Sequence, residues 1–137
     1  MHPTVRIILA ILSGILLGSV VNMGIINLSG SIIPPPNGAD LTTVEGLTSA
    51  MHLMEPKHFL MPFLAHAFGT ITGAFVAALI TKKNEMSIAM FIGVVFLLGG
   101  IASVMMLPSP LWFTLTDLIV AYLPMAYIGA RLAAFKK

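Results

Sequence analysis

Four long apolar stretches leave this chain few ways to fold. They occupy residues 5–28, 58–81, 86–107 and about 112–134, separated by the Ser29-Gly30-Ser31 break and the long 29–57 connection, by Lys82-Lys83, and by Pro108-Ser109-Pro110. A helix needs roughly 20 mainly apolar residues to cross the hydrocarbon of a bilayer. Each stretch is too long for a core strand and shows no period-two alternation. The pattern predicts an all-α membrane protein, a bundle of four transmembrane helices forming one integral domain over residues 1–137.

Composition agrees. Of 137 residues, 58% are hydrophobic and only 9% charged, where a soluble domain carries about 25% charged residues to keep its surface solvated. Lipid is the solvent that accepts such an exterior. A cleaved signal peptide is the alternative for the first stretch, since Arg6 precedes it. The run is longer than a typical signal core, and no A-x-A cleavage site follows.

Basic residues next to membrane helices favour the cytoplasm. With alternating helices, Arg6, Lys82, Lys83, Arg131, Lys136 and Lys137 fall on one side and Lys57 on the other. Both termini are therefore expected in the cytoplasm, with the 29–57 connection facing outward. The net charge of +2 reflects this placement and gives no reason to expect a nucleic-acid partner. The bilayer is the expected partner, together with another membrane protein or further copies of the chain.

The outward connection opens with Pro34-Pro35-Pro36-Asn37-Gly38, a stiff extended piece and then a turn signal. Thr42-x-x-Glu45 has the form of a capping box, in which side chain and backbone satisfy each other's free groups at a helix start. Val44, Leu47, Met51 and Met54 follow at helical spacing. A short amphipathic helix over 43–54 is predicted, lying on the membrane surface or over the bundle mouth. Pro56 ends it and suits the first turn of the second span.

Membrane helices approach closely through small residues. At 100° per residue, one face of the second span carries Pro62, His66, Thr70, Gly73 and Ala77, with Gly69 at its edge. Gly14 and Gly18 mark such a face on the first span beside Val21, Asn22 and Ile25; Ala89, Gly93, Phe96 and Gly100 mark it on the third. On the fourth, continued as a single helix, the face reads Asp117, Ala121, Pro124, Ile128 and Arg131.

Polar groups within a membrane are costly and belong inside a bundle. At 1.5 Å per residue from the outer ends, Asn22 lies roughly 9 Å deep, His66 roughly 12 Å and Asp117 about 3–9 Å, with Thr70 a turn below His66. Asn22, His66, Thr70 and Asp117 thus make a candidate buried polar layer in which His66 and Asp117 could share a hydrogen bond. The plainer readings are an interhelical hydrogen bond for Asn22, a bond from His66 to a nearby carbonyl, and an Asp117 sitting at headgroup level near its helix's positive N-terminus. A second cluster, His52, Glu55 and His58, has ligand-like spacing for an outer-surface metal ion or proton. Glu-x-x-His recurs in dimetal four-helix bundles, but Pro56 interrupts this helix and the remaining ligands of such a site are missing. A structural role for the cluster is the simpler expectation, and no cofactor is expected beyond that candidate metal ion.

Enzymatic chemistry has little support. The chain has no Cys, no Gly-x-Ser-x-Gly turn and no phosphate loop. Its ten methionines form no repeated Met-x-x-Met series. The segment from Met51 to Ala74, MHLMEPKHFLMPFLAHAFGTITGA, resembles a stretch of small four-span bacterial membrane proteins to which no activity is assigned. That resemblance implies a bacterial inner membrane and no particular chemistry. By size the chain is also similar to small multidrug transporters and fluoride channels, but it lacks the first-span Glu of the former and the Phe/Thr/Ser track of the latter. A non-enzymatic accessory subunit or scaffold is expected, with a proton- or metal-ion-linked transporter or channel using His66 and Asp117 as the alternative.

Overall fold

The computed structural model describes residues 1–136, and the Lys137 of the charge argument lies outside them. Six helices follow in order: α1 (Pro3–Ile32), α2 (Val44–Ala50), α3 (Leu60–Ile80), α4 (Glu85–Met106), α5 (Leu111–Val120) and α6 (Leu123–Phe135). No strand occurs among the described residues. α1, α3 with its 3-10 lead-in from Pro56, α4, and α5 with α6 are each long and apolar enough to cross a membrane.

The central element is α3, which packs against α1, α4 and α6. Alanine and glycine dominate its buried face, with Ala65, Ala67, Gly69, Thr70, Gly73, Ala74, Ala77 and Ala78 all inside. α1 runs antiparallel to it along a seam where glycines from both helices meet backbone to backbone. A Cβ on Gly14 would lie 2.7 Å from the Gly73 carbonyl oxygen, and one on Gly73 equally close to that of Gly14. Gly18 and Gly69 repeat the arrangement a turn away, at 2.6 and 2.9 Å. At one end of the seam the Arg6 guanidinium donates to the Ile80 carbonyl, a last-turn group of α3 that the helix itself leaves unpaired. Leu12, Leu16, Val20 and Met23 on the other faces of α1 are exposed, the surface that lipid solvates.

Several boundaries differ from the sequence expectations. α1 does not stop at Ser29-Gly30-Ser31; it continues to Ile32, just before Pro34-Pro35-Pro36, where the residue ahead of a proline is pushed into extended backbone. Ser29 stays helical with its hydroxyl on the Ile26 carbonyl, 2.7 Å away. At 30 residues, α1 is roughly 45 Å long, more than the roughly 30 Å hydrocarbon layer. In the long connection the helix spans 44–50 and a separate 3-10 turn follows at 51–53. Its N-cap is Thr43, whose hydroxyl accepts from the Gly46 amide at 3.0 Å. Thr42 turns back onto Asp40 instead, so the Thr42/Glu45 capping box does not form.

The largest difference lies in the fourth span. It breaks at Ala121-Tyr122, between α5 and α6. Pro124 sits in the first turn of α6; within a continuous helix it would remove a bond to the Val120 carbonyl and clash with it. The break re-phases the inward face. Asp117 and Ala121 are buried, but Pro124, Ile128 and Arg131 are exposed, and Ala126, Gly129, Ala130 and Ala133 take their place. Gly129 meets α3 directly, since a Cβ there would lie 2.6 Å from the Ile71 carbonyl.

Candidate functional site

His66 lies in the second turn of α3, on the half of the bundle that carries the long connection. Asp117 comes from α5, near its junction with α6, and is 2% exposed. Its two carboxylate oxygens lie 2.8 and 2.9 Å from His66 Nδ1. The Tyr122 hydroxyl donates to the second of these oxygens at 3.1 Å, and the Tyr122 ring stacks on the imidazole with centroids 5.7 Å apart. With Asp117 ionised, its oxygens only accept, and Nδ1 is the donor in this pairing. Thr70, buried one turn below, bonds the His66 carbonyl through its hydroxyl at 2.8 Å. Thr70 therefore closes its own hydroxyl inside α3 and does not extend the side-chain network.

The break in the fourth span assembles this group. On a continuous helix Tyr122 would point about 140° away from Asp117. The non-helical backbone of Tyr122 (φ −118°, ψ −79°) turns its ring back onto the carboxylate. Gly100 of α4 makes the space, because a Cβ there would lie 2.4 Å from the Tyr122 hydroxyl oxygen. Gly93, a little under two turns earlier, admits the Ala126 methyl in the same way at 2.6 Å. Tyr122 is the residue that sequence reasoning missed. The available signal was Pro124 two positions later, a breaker inside an apolar run.

Asn22 lies elsewhere. It packs on the α1–α3 seam, its Cβ 3.0 Å from where a Gly69 side chain would begin, and it shares no hydrogen bond with His66 or Asp117. The outer cluster does not converge either. The His58 ring is buried and its Nδ1 accepts from the Glu55 amide at 2.8 Å, which makes it a cap for the turn entering α3. Glu55 pairs with Lys57 at 3.2 Å, both well exposed, and His52 is exposed. Among the described residues, no three His, Asp or Glu side chains gather as a metal site would need.

Above the His66–Asp117 pair is a cleft of about 690 Å³. Its sides are the C-terminal halves of α1 and α4, with Met23 and Asn27 opposite Ser103 and Leu107; Pro62 and His66 form its floor. The connection covers it through Asp40, Leu47 and Met54. Phe59 and Phe113, rings 4.9 Å apart, form an aromatic wall, and the Trp112 ring meets Phe59 edge-on from behind. Met23, Asn27, Ser103 and Leu107 are all exposed, so the cleft opens between α1 and α4 at the level of the spans. Asp40 at the rim has its carboxyl held below its ordinary range by the Thr42 hydroxyl and amide. Beyond the polar pair, Thr70, Gly73, Ala74 and Ala77 of α3 are closely packed against their neighbours.

No protein-family model matches this sequence, and searches of curated proteins and of solved structures return no match.

Proposed function

We propose that this chain is a multi-pass protein of a bacterial inner membrane that works by binding rather than catalysis, as an accessory subunit whose cleft engages another membrane component. Its termini lie in the cytoplasm and the cleft faces outward, as the distribution of Lys and Arg favours. The observation that carries this reading is the cleft itself: roomy, mainly apolar, open at the level of the spans, with one polar pair fixed on its floor. Sites of this construction hold ligands or partner side chains. A tagged copy purified from native membranes in mild detergent should bring down a stoichiometric membrane partner, and filling the cleft with Ser103→Phe should weaken that association. Purification of the tagged chain alone would overturn the subunit assignment.

The His66–Asp117 pair also favours a second reading, proton-linked transport, because ionisable pairs within membranes mark many proton pathways. Against it, the close packing beyond Thr70 supports a site reached from one end. Proteoliposomes holding a pH-sensitive dye separate the two: no proton flux above empty vesicles is expected, and flux abolished by Asp117→Asn would establish transport.

A further inference from the structure

The binding chemistry of the cleft is more specific than its apolar lining alone implies, and His66 carries the information. Asp117 holds its Nδ1 edge, and no described residue bonds Nε2. No buried side-chain nitrogen or oxygen in the described chain lacks a partner, so Nε2 is not sealed in the interior. It is reachable from the cleft that His66 lines. With Nδ1 donating to Asp117, the neutral form of the ring presents a lone pair at Nε2, which accepts from a donor.

Charge narrows the class of ligand. Asp117 is 2% exposed, with its oxygens turned to His66 and Tyr122, so a cationic head cannot reach it, and the Asp40 carboxylate stands exposed at the rim, where it already accepts from Thr42. An anionic head would approach the Asp117 carboxylate behind the imidazole and Asp40 at the rim, and no Lys or Arg among the described residues lines the cleft. Phosphate-bearing lipid heads are therefore poorly matched, and a neutral hydroxyl is well matched. The aromatic wall of Phe59 and Phe113 suits a planar ring, since aromatic pairs gain beyond the area they bury. The opening between α1 and α4 admits a molecule already dissolved in lipid. A volume near 690 Å³ falls within the roughly 300–1,000 Å³ of small-molecule sites.

We propose that the cleft binds one lipid-soluble ring alcohol of the quinol class, with its ring against Phe59 and Phe113 and a ring hydroxyl donating to His66 Nε2. This rests on the cleft being the binding element proposed above, but requires no partner protein. The proposal concerns binding only, with no electron transfer by the chain.

The test uses the full-length protein in nanodiscs, under anaerobic conditions, with a decyl-substituted 1,4-benzoquinol as the probe. Saturable binding is expected, followed through the emission of Trp112, the only tryptophan, and through probe retained with the protein on gel filtration. The dimethyl ether of the same probe keeps ring and tail but cannot donate, and should bind about tenfold more weakly, the value of one modest hydrogen bond. That comparison leaves the protein untouched. On the protein side, His66→Asn keeps a donor near the Nδ1 position for Asp117 and removes Nε2, and should weaken quinol binding by a similar factor while leaving ether binding unchanged. Equal affinity for quinol and ether would overturn the proposal and reduce the cleft to a general apolar site. Absence of saturable binding would overturn it as well. A partner that co-purifies while the quinol fails to bind would leave the subunit reading standing. Quinol binding with no partner would do the reverse.

Discussion

His66 Nδ1 lies within 2.9 Å of both carboxylate oxygens of Asp117, although the two residues stand on different helices 51 positions apart in the chain. Asp117 is almost wholly buried and the His66 side chain is 20% exposed. Removing either partner leaves the other desolvated and unmatched, which costs more than the pair itself contributes. His66→Leu and Asp117→Leu should each lower stability in detergent, and the double variant should lose less than the sum. A double-mutant cycle should give a coupling energy of about 1 kcal/mol or more. Additive losses would show that the two side chains do not depend on each other.

The neighbouring pair Gly99 and Gly100 offers a sharper comparison. A methyl at Gly99 meets nothing within 4 Å, whereas one at Gly100 meets the Tyr122 hydroxyl at 2.4 Å. Gly99→Ala should be neutral or stabilising by roughly 0.5–1 kcal/mol, the usual gain of replacing Gly within a helix. Gly100→Ala must push Tyr122 off Asp117 and should cost about 1–3 kcal/mol. Combining it with Tyr122→Phe should relieve only part of the loss, because the same methyl also falls 2.6 and 2.8 Å from the ring carbons Cζ and Cε2. Thermal unfolding of these four variants beside the unaltered protein in one detergent checks the ordering.

The α1–α3 seam predicts a similar contrast along one helix. Gly18→Ala would drive a methyl into the Gly69 carbonyl and the Phe96 ring, while Gly24→Ala finds open space. The first should reduce resistance to denaturing detergent and the second should not. Equal behaviour would remove close backbone approach as the basis of this helix pair.

Much of this architecture was legible because length and apolarity alone identify membrane helices, and glycine spacing identifies where they meet. Gly14, Gly18, Gly69, Gly73, Gly93 and Gly100 could be assigned to faces because each lies on an unbroken helix. The fourth span defeated the same reasoning. A helical wheel carried past Pro124 put Ile128 and Arg131 inside, whereas the break turns Gly129 and Ala133 inward. Tyr122 was invisible for the same reason, since only a broken helix lets it reach Asp117 five positions earlier. Asn22 was grouped with the polar pair on depth, but depth does not fix azimuth, and it lies on the glycine seam. In the connection, the Thr42/Glu45 spacing fitted a cap, and Asp40 drew Thr42 away by offering its hydroxyl and amide a closer acceptor.

Asp40 gives a pH expectation outside the membrane. Its bonds from Thr42 favour the charged form and lower its pKa from the ordinary 3.8. A carboxylate depressed on folding contributes stability above its unfolded pKa and loses it as pH falls through the folded value. The 40–43 turn should therefore stay ordered at neutral pH and loosen only below about 3.8. The Thr42 amide resonance should report this, and Asp40→Asn should shift that resonance at pH 7 toward its acid position. A Thr42 amide that does not change with pH would show that the carboxylate bond is unimportant in solution.

Orientation is the remaining premise of an outward cleft. The Arg6–Ile80 contact ties the start of α1 to the end of α3, so Arg6, Lys82 and Lys83 share one end of the bundle, while Lys57 and the cleft lie at the other. A bias of this kind in short loops sets membrane orientation. Reporter fusions at Lys83 should therefore read as cytoplasmic and those at Asn37 as external. Because the 82–85 turn is short, its charge should matter: Lys82→Glu with Lys83→Glu should weaken the bias and give a mixed population. Asn37 and Lys83 reporting the same compartment would overturn the four-span arrangement. If the two compartments are exchanged, the cleft faces the cytoplasm, and its partner must be sought in that leaflet.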